Sequence, residues 1–358
     1  MLVLGIDTSC DDTSAAVVED GCCPHSSVVN SQVKLHHPYG GVVPELASRE
    51  HLRNIVPVVE EALRQASVSF EDLGGIAVTV GPGLVGALLV GLYYAKGVGA
   101  AHGLPLVGIN HLEGHILSIF LEEESPSFPF VALTVSGGHT SIYRVEGYGR
   151  YTQMGQTLDD AAGESFDKVA KILGLGYPGG AAIEQEARSG KRERIPFPRA
   201  MLGRDSFDFS FSGVKTSVAL YVTDWKDGKN HTKGVTLGDI AASFQEAVVD
   251  VLVQKCLKAA QKQGVSRIMV AGGVACNQRL RERFSAESES TGLRVYYPSA
   301  RYCTDNGAMI AVAGYHRIIS GERMDFSQDV SSKFPIQDLL PLSKADSLRA
   351  QQHRDNRT

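Results

Sequence analysis

The chain has 358 residues, of which 43% are apolar and 21% charged, and its net charge is −5. At roughly 100–200 residues per domain this is a globular chain of two domains or one large one, not a disordered or fibrous one. The acidic balance argues against a stand-alone nucleic-acid binder, so any RNA-facing basic surface must be local or come from a partner.

No uncharged apolar run reaches the ~18 residues needed to cross a bilayer, and no membrane is expected. The nearest run, Leu84 to Ala101, is broken by four glycines and Lys96. The six scattered cysteines lack a C-x-x-C and read as free thiols of a reducing cytoplasm. The chain opens on a strand-like run, Leu2 to Ile6, rather than on the basic region of a signal peptide.

Leu4 to Ser14 is an apolar run, a polar turn and the start of a second run, Ala15 to Val18. Its turn carries Asp7, Asp11 and Asp12 among hydroxyls. Such acids can hold a metal or its waters near phosphate, or orient an amine nucleophile. Turn capping explains one of them but less easily three. The pattern recurs at an offset of 127 without a gap: Val131 to Ser141 repeats it, Ser136 matching Ser9 and Thr140-Ser141 matching Thr13-Ser14. Two β-hairpins are predicted.

A helix is predicted over His51 to Ala66, with Leu52, Ile55, Val56, Val59, Ala62 and Leu63 on its apolar face. Pro57 predicts a kink or a delayed start. A strand, Gly75 to Val80, then ends in Gly81-Pro82-Gly83. The second half repeats this order. Ile240, Phe244, Ala247, Val248, Val251 and Leu252 mark a helix, and a strand, Arg267 to Val270, ends in Gly272-Gly273. Two similar α/β halves imply two lobes with a cleft between them, ligands binding at the Gly turns.

His111 and His115, at i and i+4, share one helical face and can hold one metal. Chance spacing is the alternative. Glu113 falls about 200° round the helix from His111, so the general base of an H-E-x-x-H protease is missing. Asp305, in Cys303-Thr304-Asp305-Asn306, is the candidate third ligand. Two imidazoles and one carboxylate suit Fe(II) or Zn(II).

The second hairpin tip, Ser136 to Thr140, offers backbone N–H groups to a phosphate, or is a plain Gly-Gly turn. Gly174 to Gly180 and Gly272 to Asn277 are further Gly-rich turns. Asp167 suits a ribose, or pairs with Lys168 or Lys171. Asn277 reads an adenine edge or a ribose, or caps the following helix. Phe209 to Thr216 is an aromatic and basic segment in a predicted loop, suited to RNA or substrate contact unless it packs its own phenylalanines. A last helix, Asn306 to Ile319, is expected to pack back on the first lobe. Beyond Arg323 the chain turns polar, and Leu348 to Thr358 reads as disordered.

These motifs together resemble the bacterial tRNA N6-adenosine threonylcarbamoyltransferases (TsaD), a family once labelled O-sialoglycoprotein endopeptidases. The resemblance rests on Gly5 to Thr13, Tyr39 to His51, His111 to His115, Ser136 to Thr140, Asp159 to Lys168, Ser210 to Thr216, Gly272 to Asn277 and Cys303 to Met309. It covers residues 4 to about 315 and leaves only the tail aside. One departure is that many relatives carry Glu where Asp7 and Asp12 stand, one methylene longer.

The resemblance implies the two-lobed actin/sugar-kinase/Hsp70-like α/β fold, with duplicated ribonuclease-H-like lobes and an interlobe cleft. It places residues 1–128 with 305–325 in the first lobe, residues 129–304 in the second with an insert at 196–235, and residues 326–358 in a polar tail. It implies transfer of a threonylcarbamoyl group from L-threonylcarbamoyl-AMP to adenosine 37 in the anticodon loop of tRNAs reading codons that begin with A. By motif matching, His111, His115 and Asp305 hold one Fe(II) or Zn(II), with Mg²⁺ a further candidate at the nucleotide phosphates. Substrate contacts fall on Thr134, Val135, Ser136, Gly137, Gly138, Asp167, Gly180 and Asn277. The catalytic candidates are Asp11, Asp7 and Asp12, with Asp11 the proton acceptor. The implied partners are a TsaB-like paralogue and a TsaE-like P-loop ATPase, in the cytoplasm. A metalloprotease and an ATP-dependent small-molecule kinase of the same fold are the competing readings.

Overall fold

A computed structural model describes residues 1–203, 205–339 and 342. The first sheet is built from β1 (Leu2–Asp7), β2 (Asp12–Glu19), β3 (Cys23–Pro24), β4 (Val28–Ser31), β5 (Leu73–Gly81) and β6 (Leu106–Asn110). Its order is β3-β2-β1-β5-β6, with β4 also on β2. The second contains β7 (Phe130–Val135), β8 (Thr140–Gly147), β9 (Arg150–Gln156), β10 (Arg267–Ala271) and β11 (Arg294–Tyr296), in the order β11-β10-β7-β8-β9. Each sheet has an antiparallel hairpin at its centre and a parallel strand beside it.

The duplication extends to the register. Asp7 pairs with Ser14 in the first hairpin, and Thr134 with Ser141 in the second. Adding the offset of 127 to the first pair gives the second.

The helices are α1 (Val33–His36), α2 (Pro44–Ala66), α3 (Val85–His102), α4 (His111–Leu117), α5 (Ala162–Leu173), α6 (Gly179–Ala187), α7 (Ser212–Lys226), α8 (Leu237–Gln263), α9 (Gln278–Thr291), α10 (Ala300–Cys303) and α11 (Gly307–Ile319). Alternation along the strands decides how they layer. Leu4, Ile6, Val17 and Val78 face α2 and α3 in one apolar cluster. Val131, Leu133, Ile142 and Val270 face α5 and α8 in another. The opposite faces, Val3, Ala16 and Ala77 of the first sheet with Ala132, Tyr143 and Met269 of the second, share a third cluster with α4 and α11. The two sheets therefore sandwich one common helical layer.

Backbone contact fixes that layer. A Cβ on Gly5 would lie 2.1 Å from the Gly307 carbonyl oxygen and 2.5 Å from Ala311 N, so β1 and α11 approach as only glycine allows. Gly5→Ala is expected to cost at least about 1–3 kcal/mol, as overpacking does. A lowered urea midpoint at unchanged slope checks this.

Three expectations need correction. α2 begins at Pro44, seven residues before His51, and runs unbroken through Pro57. Pro57 removes the bond to the Arg53 carbonyl, but both residues are exposed, so water satisfies that group. Leu52 and Val56 are 65% and 44% exposed; the buried face is Ala47, His51, Ile55, Val58, Val59, Ala62 and Leu63. The segment after Arg323 is not uniformly a tail. It runs along the first sheet, with Lys96 Nζ donating to the Phe326 and Gln328 carbonyls at 2.7 Å and Asn110 Nδ2 to the Phe334 carbonyl at 2.7 Å. The end expected to be disordered, Leu348 to Thr358, lies outside the described residues. No described helix is long and apolar enough to cross a membrane.

Candidate active site

α4 starts at His111 because Asn110 caps it: its Oδ1 accepts from Leu112 N at 2.9 Å and from Glu113 N at 3.3 Å. His115 falls one turn later on the same face, its ring edge-on to that of His111 with centroids 4.7 Å apart. Asp305 arrives from the segment before α11. Asn306 caps that helix through Met309 N at 2.9 Å and donates to the Thr304 carbonyl at 2.7 Å, which fixes the backbone on both sides of Asp305.

Asp305 Oδ1 lies 3.1 Å from His115 Nε2 and 3.5 Å from His111 Nε2. A tetrahedral ion with bonds of about 2.0–2.2 Å sets its ligand atoms about 3.3–3.6 Å apart, so this donor set fits a divalent cation. Behind it, His111 Nδ1 is 3.5 Å from Asp7 Oδ2, the arrangement that orients a ligating imidazole.

Burial opposes protonation of His111, but Asp305 and Asp7 outweigh it and lift the imidazole to about 9. Burial raises Asp305, yet His111 and His115 hold it well below the usual carboxylate range. A bound cation would take the place of the protons that this cluster otherwise attracts. A third imidazole, His139 of the second hairpin tip, has its ring centroid 6.5 Å from that of His111. Burial, then the charges of His111 and His115, push it down to about 4.

The predicted acids separate into two kinds. Asp7 is wholly buried and accepts from Ser9 N at 3.1 Å and Ser9 Oγ at 3.3 Å. Unlike Asp11 and Asp12 it is not among the residues that line the cavity beside the cluster, and its Oδ2 faces His111 Nδ1. Asp11 and Asp12 do line a cavity of about 390 Å³ with His111, Asp305 and His139. Burial raises both carboxyls, Asp12 to about 7 with Asp305 adding to the effect. The buried Asp12 Oδ1 has no hydrogen-bond partner among the described residues. The hairpin tip is steadied by His51, which meets Thr13 Oγ1 at 2.7 Å and the Cys10 carbonyl at 3.0 Å.

A second cavity of about 370 Å³ is lined by Gly137, Asp167, Gly180 and Asn277. The two share Gly137, Pro178, Gly273 and Thr304, so they adjoin and together fall in the size range of small-molecule sites. A Cβ on Gly137, Gly138 or Gly180 would meet no atom within 4 Å. The chain's own packing does not demand glycine there, whereas a ligand approaching the backbone would.

Asp167 accepts from Gly179 N at 2.7 Å, and Lys168 pairs instead with Asp160 and Glu164. Asn277 takes the capping alternative: Oδ1 accepts from Leu280 N at 3.0 Å and Nδ2 donates to Gln245 Oε1 at 2.8 Å. It borders the cavity with both ends of its amide engaged. Thr134 and Val135 are buried strand residues whose side chains leave the cavity lining to Ser136, Gly137 and Gly138. Phe209 and Phe211 are buried and stacked on one another, and Lys215 pairs with Asp160, so that segment packs its own core and offers no open aromatic surface.

Sequence reasoning missed the place of His139, although it stands inside the quoted tip motif, and it missed the clamp on Glu113. That carboxylate is buried, bound by Arg317 Nε at 2.8 Å and Nη2 at 2.9 Å, and accepts from Tyr151 OH at 2.9 Å. It points away from the metal cluster as its helical angle requires.

The family model described as TsaD, tRNA N6-adenosine threonylcarbamoyltransferase, matches residues 25–312. Proteins bearing that enzyme name from Syntrophotalea carbinolica and Geobacter metallireducens are 53% and 54% identical over 336 residues, 94% of this chain and 97% of each relative. Among solved structures, full-length HypF in a phosphate- and nucleotide-bound form aligns with a TM-score of 0.59 at 14% identity, covering 88% of this chain and 55% of that one. The (R)-2-hydroxyglutaryl-CoA dehydratase component A of Acidaminococcus fermentans aligns at 0.53 and 17%, covering 88% and 98%. The structural likenesses carry the two-lobed fold, and the sequence matches carry more: the chain belongs to the tRNA N6-adenosine threonylcarbamoyltransferase family.

Proposed function

We propose that this chain transfers the threonylcarbamoyl group of L-threonylcarbamoyl-AMP to N6 of adenosine 37 in tRNAs that read codons beginning with A, releasing AMP. The observation that carries the reading is the adjoining pair of cavities: a Gly-lined one that suits a nucleotide, open to one ringed by two carboxylates and the His111–His115–Asp305 cluster.

The donor carbonyl is activated by its phosphate, and the adenine amine is a weak nucleophile. Positioning is therefore the first task, worth ~7–11 kcal/mol in favourable cases. Ser136, Gly137 and Gly138 hold the phosphate, and Asp167 and Gly180 meet the nucleoside. Asn277 supports that wall through its cap and its bond to Gln245. As N6 forms its bond to the carbonyl carbon, the bond from that carbon to the phosphate oxygen breaks. Asp11 takes the amine proton, with Asp12 beside it. His111, His115 and Asp305 would hold a divalent metal, iron or zinc, and such an ion would supply Lewis acidity for the carbonyl or the leaving phosphate. The target adenine must leave its stack to reach this point.

Asp11→Ala is expected to lower kcat by ~10²–10⁴-fold, the range of a lost general base, with AMP affinity nearly unchanged. Single-turnover rates beside AMP calorimetry check it; a loss of AMP binding would assign Asp11 to the nucleotide instead. The peptidase reading lacks its base, because Glu113 is held by Arg317 and Tyr151.

The lobes divide as residues 1–128 with 305–325, and 129–304. A TsaB-like paralogue and a TsaE-like ATPase are the expected partners, in the cytoplasm. Exposed Leu52 and Val56 on α2 and Tyr93 on α3 support a protein contact on that face. The experiment that tests the function is reconstitution with unmodified tRNA, threonylcarbamoyl-AMP and partners, scored for modified adenosine by mass spectrometry. Free AMP without modified tRNA would sink it.

A further inference from the structure

The chain is acidic overall, but its cations are not evenly spread. Residues 188–199 hold Arg188, Lys191, Arg192, Arg194 and Arg199 against one acid, Glu193. Arg188, Lys191, Arg192 and Arg194 are exposed and line a shallow groove of about 540 Å³.

The backbone beneath them is pinned. Lys191 N donates to Asp239 Oδ1 at 2.8 Å, Ser243 Oγ to the Lys191 carbonyl at 3.2 Å, and Ile195 N to Ser243 Oγ at 3.2 Å. Ile195 and Phe197 anchor the segment in the core, and a Cβ on Gly190 would sit 1.9 Å from the Gly238 carbonyl oxygen. A fixed loop thus presents four cations on long side chains. The ion pairs two of them make are weak: Arg192 reaches Glu282 at 3.4 Å and Arg188 reaches Glu184 at 4.0 Å, both from exposed arginines.

Position gives the groove its meaning. α6 leaves the nucleotide cavity at Gly180, and its other end, Ala187, opens directly into the groove. Nine helical residues span ~13 Å, and the carboxylate cavity that would receive the target adenine adjoins the nucleotide cavity, so an RNA strand whose adenine enters there can reach the groove within several nucleotides. The groove is open and its charges are strung along it, which fits an extended polyanion better than a single small anion.

We propose that this groove binds the ribose-phosphate backbone of the tRNA beside the nucleotide that is modified. The inference rests on the transferase reading above and adds to it where the RNA lies. It also accounts for how an acidic chain engages RNA.

The test is the variant R188Q/K191Q/R192Q/R194Q in the full chain. Binding of unmodified tRNA is measured by fluorescence anisotropy across a salt series, and transfer in the reconstituted system. The variant is expected to raise KM for tRNA by about tenfold or more, and to flatten log Kd against log salt by ~0.7–0.9 for each phosphate that is no longer neutralised. AMP affinity and kcat at saturating tRNA stay as in wild type. Keeping the charge with R188K/R192K/R194K restores most of the binding, because phosphate is met by charge. A wild type that modifies tRNA beside a quadruple variant with the same KM and salt slope overturns this inference alone. A variant that loses its protein partners on gel filtration but binds tRNA as before also overturns it, assigning the groove to an acidic protein. A wild type that neither binds nor modifies tRNA removes the transferase reading and this inference together.

Discussion

Asp305→Ala is expected to abolish divalent-metal binding at the His111–His115–Asp305 cluster and to lower transfer by at least ~10²–10³-fold, since a Lewis acid is worth several kcal/mol and each 1.36 kcal/mol is tenfold. The reason is geometric. Asp305 Oδ1 lies near both Nε2 atoms, at 3.1 and 3.5 Å, and without it two imidazoles on a single helix turn remain of the cluster. Folding should survive, because the helix that follows is capped by Asn306 rather than by Asp305. Metal per chain by mass spectrometry, with circular dichroism on the same sample, separates the two effects. Asp7→Asn should be milder, about 10–100-fold in metal affinity, as expected of a residue that orients a ligand. Full metal occupancy in Asp305→Ala would place the ion elsewhere.

The second large effect lies at Glu113, and it is on stability. Glu113 and Arg317 have side chains 1% exposed, joined by two bonds under 3 Å. Glu113→Ala leaves a buried guanidinium with Glu322 as its remaining counter-charge among the described residues and removes the acceptor of Tyr151 OH. Breaking such a pair from one side costs ~3–5 kcal/mol. Urea unfolding is the measurement. The double variant Glu113→Leu with Arg317→Met should recover part of the loss, because no unpaired buried charge remains. If single and double variants are equally destabilised, the ion pair is not what holds α4 against α11.

The parts of this architecture that repeat were legible in the chain. The offset of 127 gave both hairpins, and their registers agree to the residue. The His111–His115 pair was legible because an i, i+4 spacing has one geometric meaning on a helix. Asp305 was a candidate because it stands where a loop enters a helix, but 190 residues separate it from His115 and local periodicity says nothing about such a pairing. The face of α2 was misjudged for a related reason. Leu52 and Val56 satisfy an apolar spacing, but packing on β2 selects the stripe through His51, Ile55 and Val59. Thr134 and Val135 belong to a strand whose both faces are covered, so a motif that spans them runs from buried strand positions into the cavity lining. The engagement of Asn277 with Gln245 and the burial of Phe209 and Phe211 depend on partners far along the chain.

The layer shared by the two sheets bears on how the cleft can move. α4 and α11 touch so closely that a Cβ on Gly114 would lie 2.9 Å from Ile310 Cδ1. Close-packed helices of this kind shift as a body rather than deform. If the angle between the sheets changes during turnover, the tip at Ser136 to His139 travels with the second sheet. His111, His115 and Asp305 keep their mutual distances. Opening and closing would then modulate how far a phosphate held at that tip stands from the His111–His115–Asp305 cluster while leaving the cluster itself intact. A closed conformer would differ from an open one in reactivity rather than in metal retention.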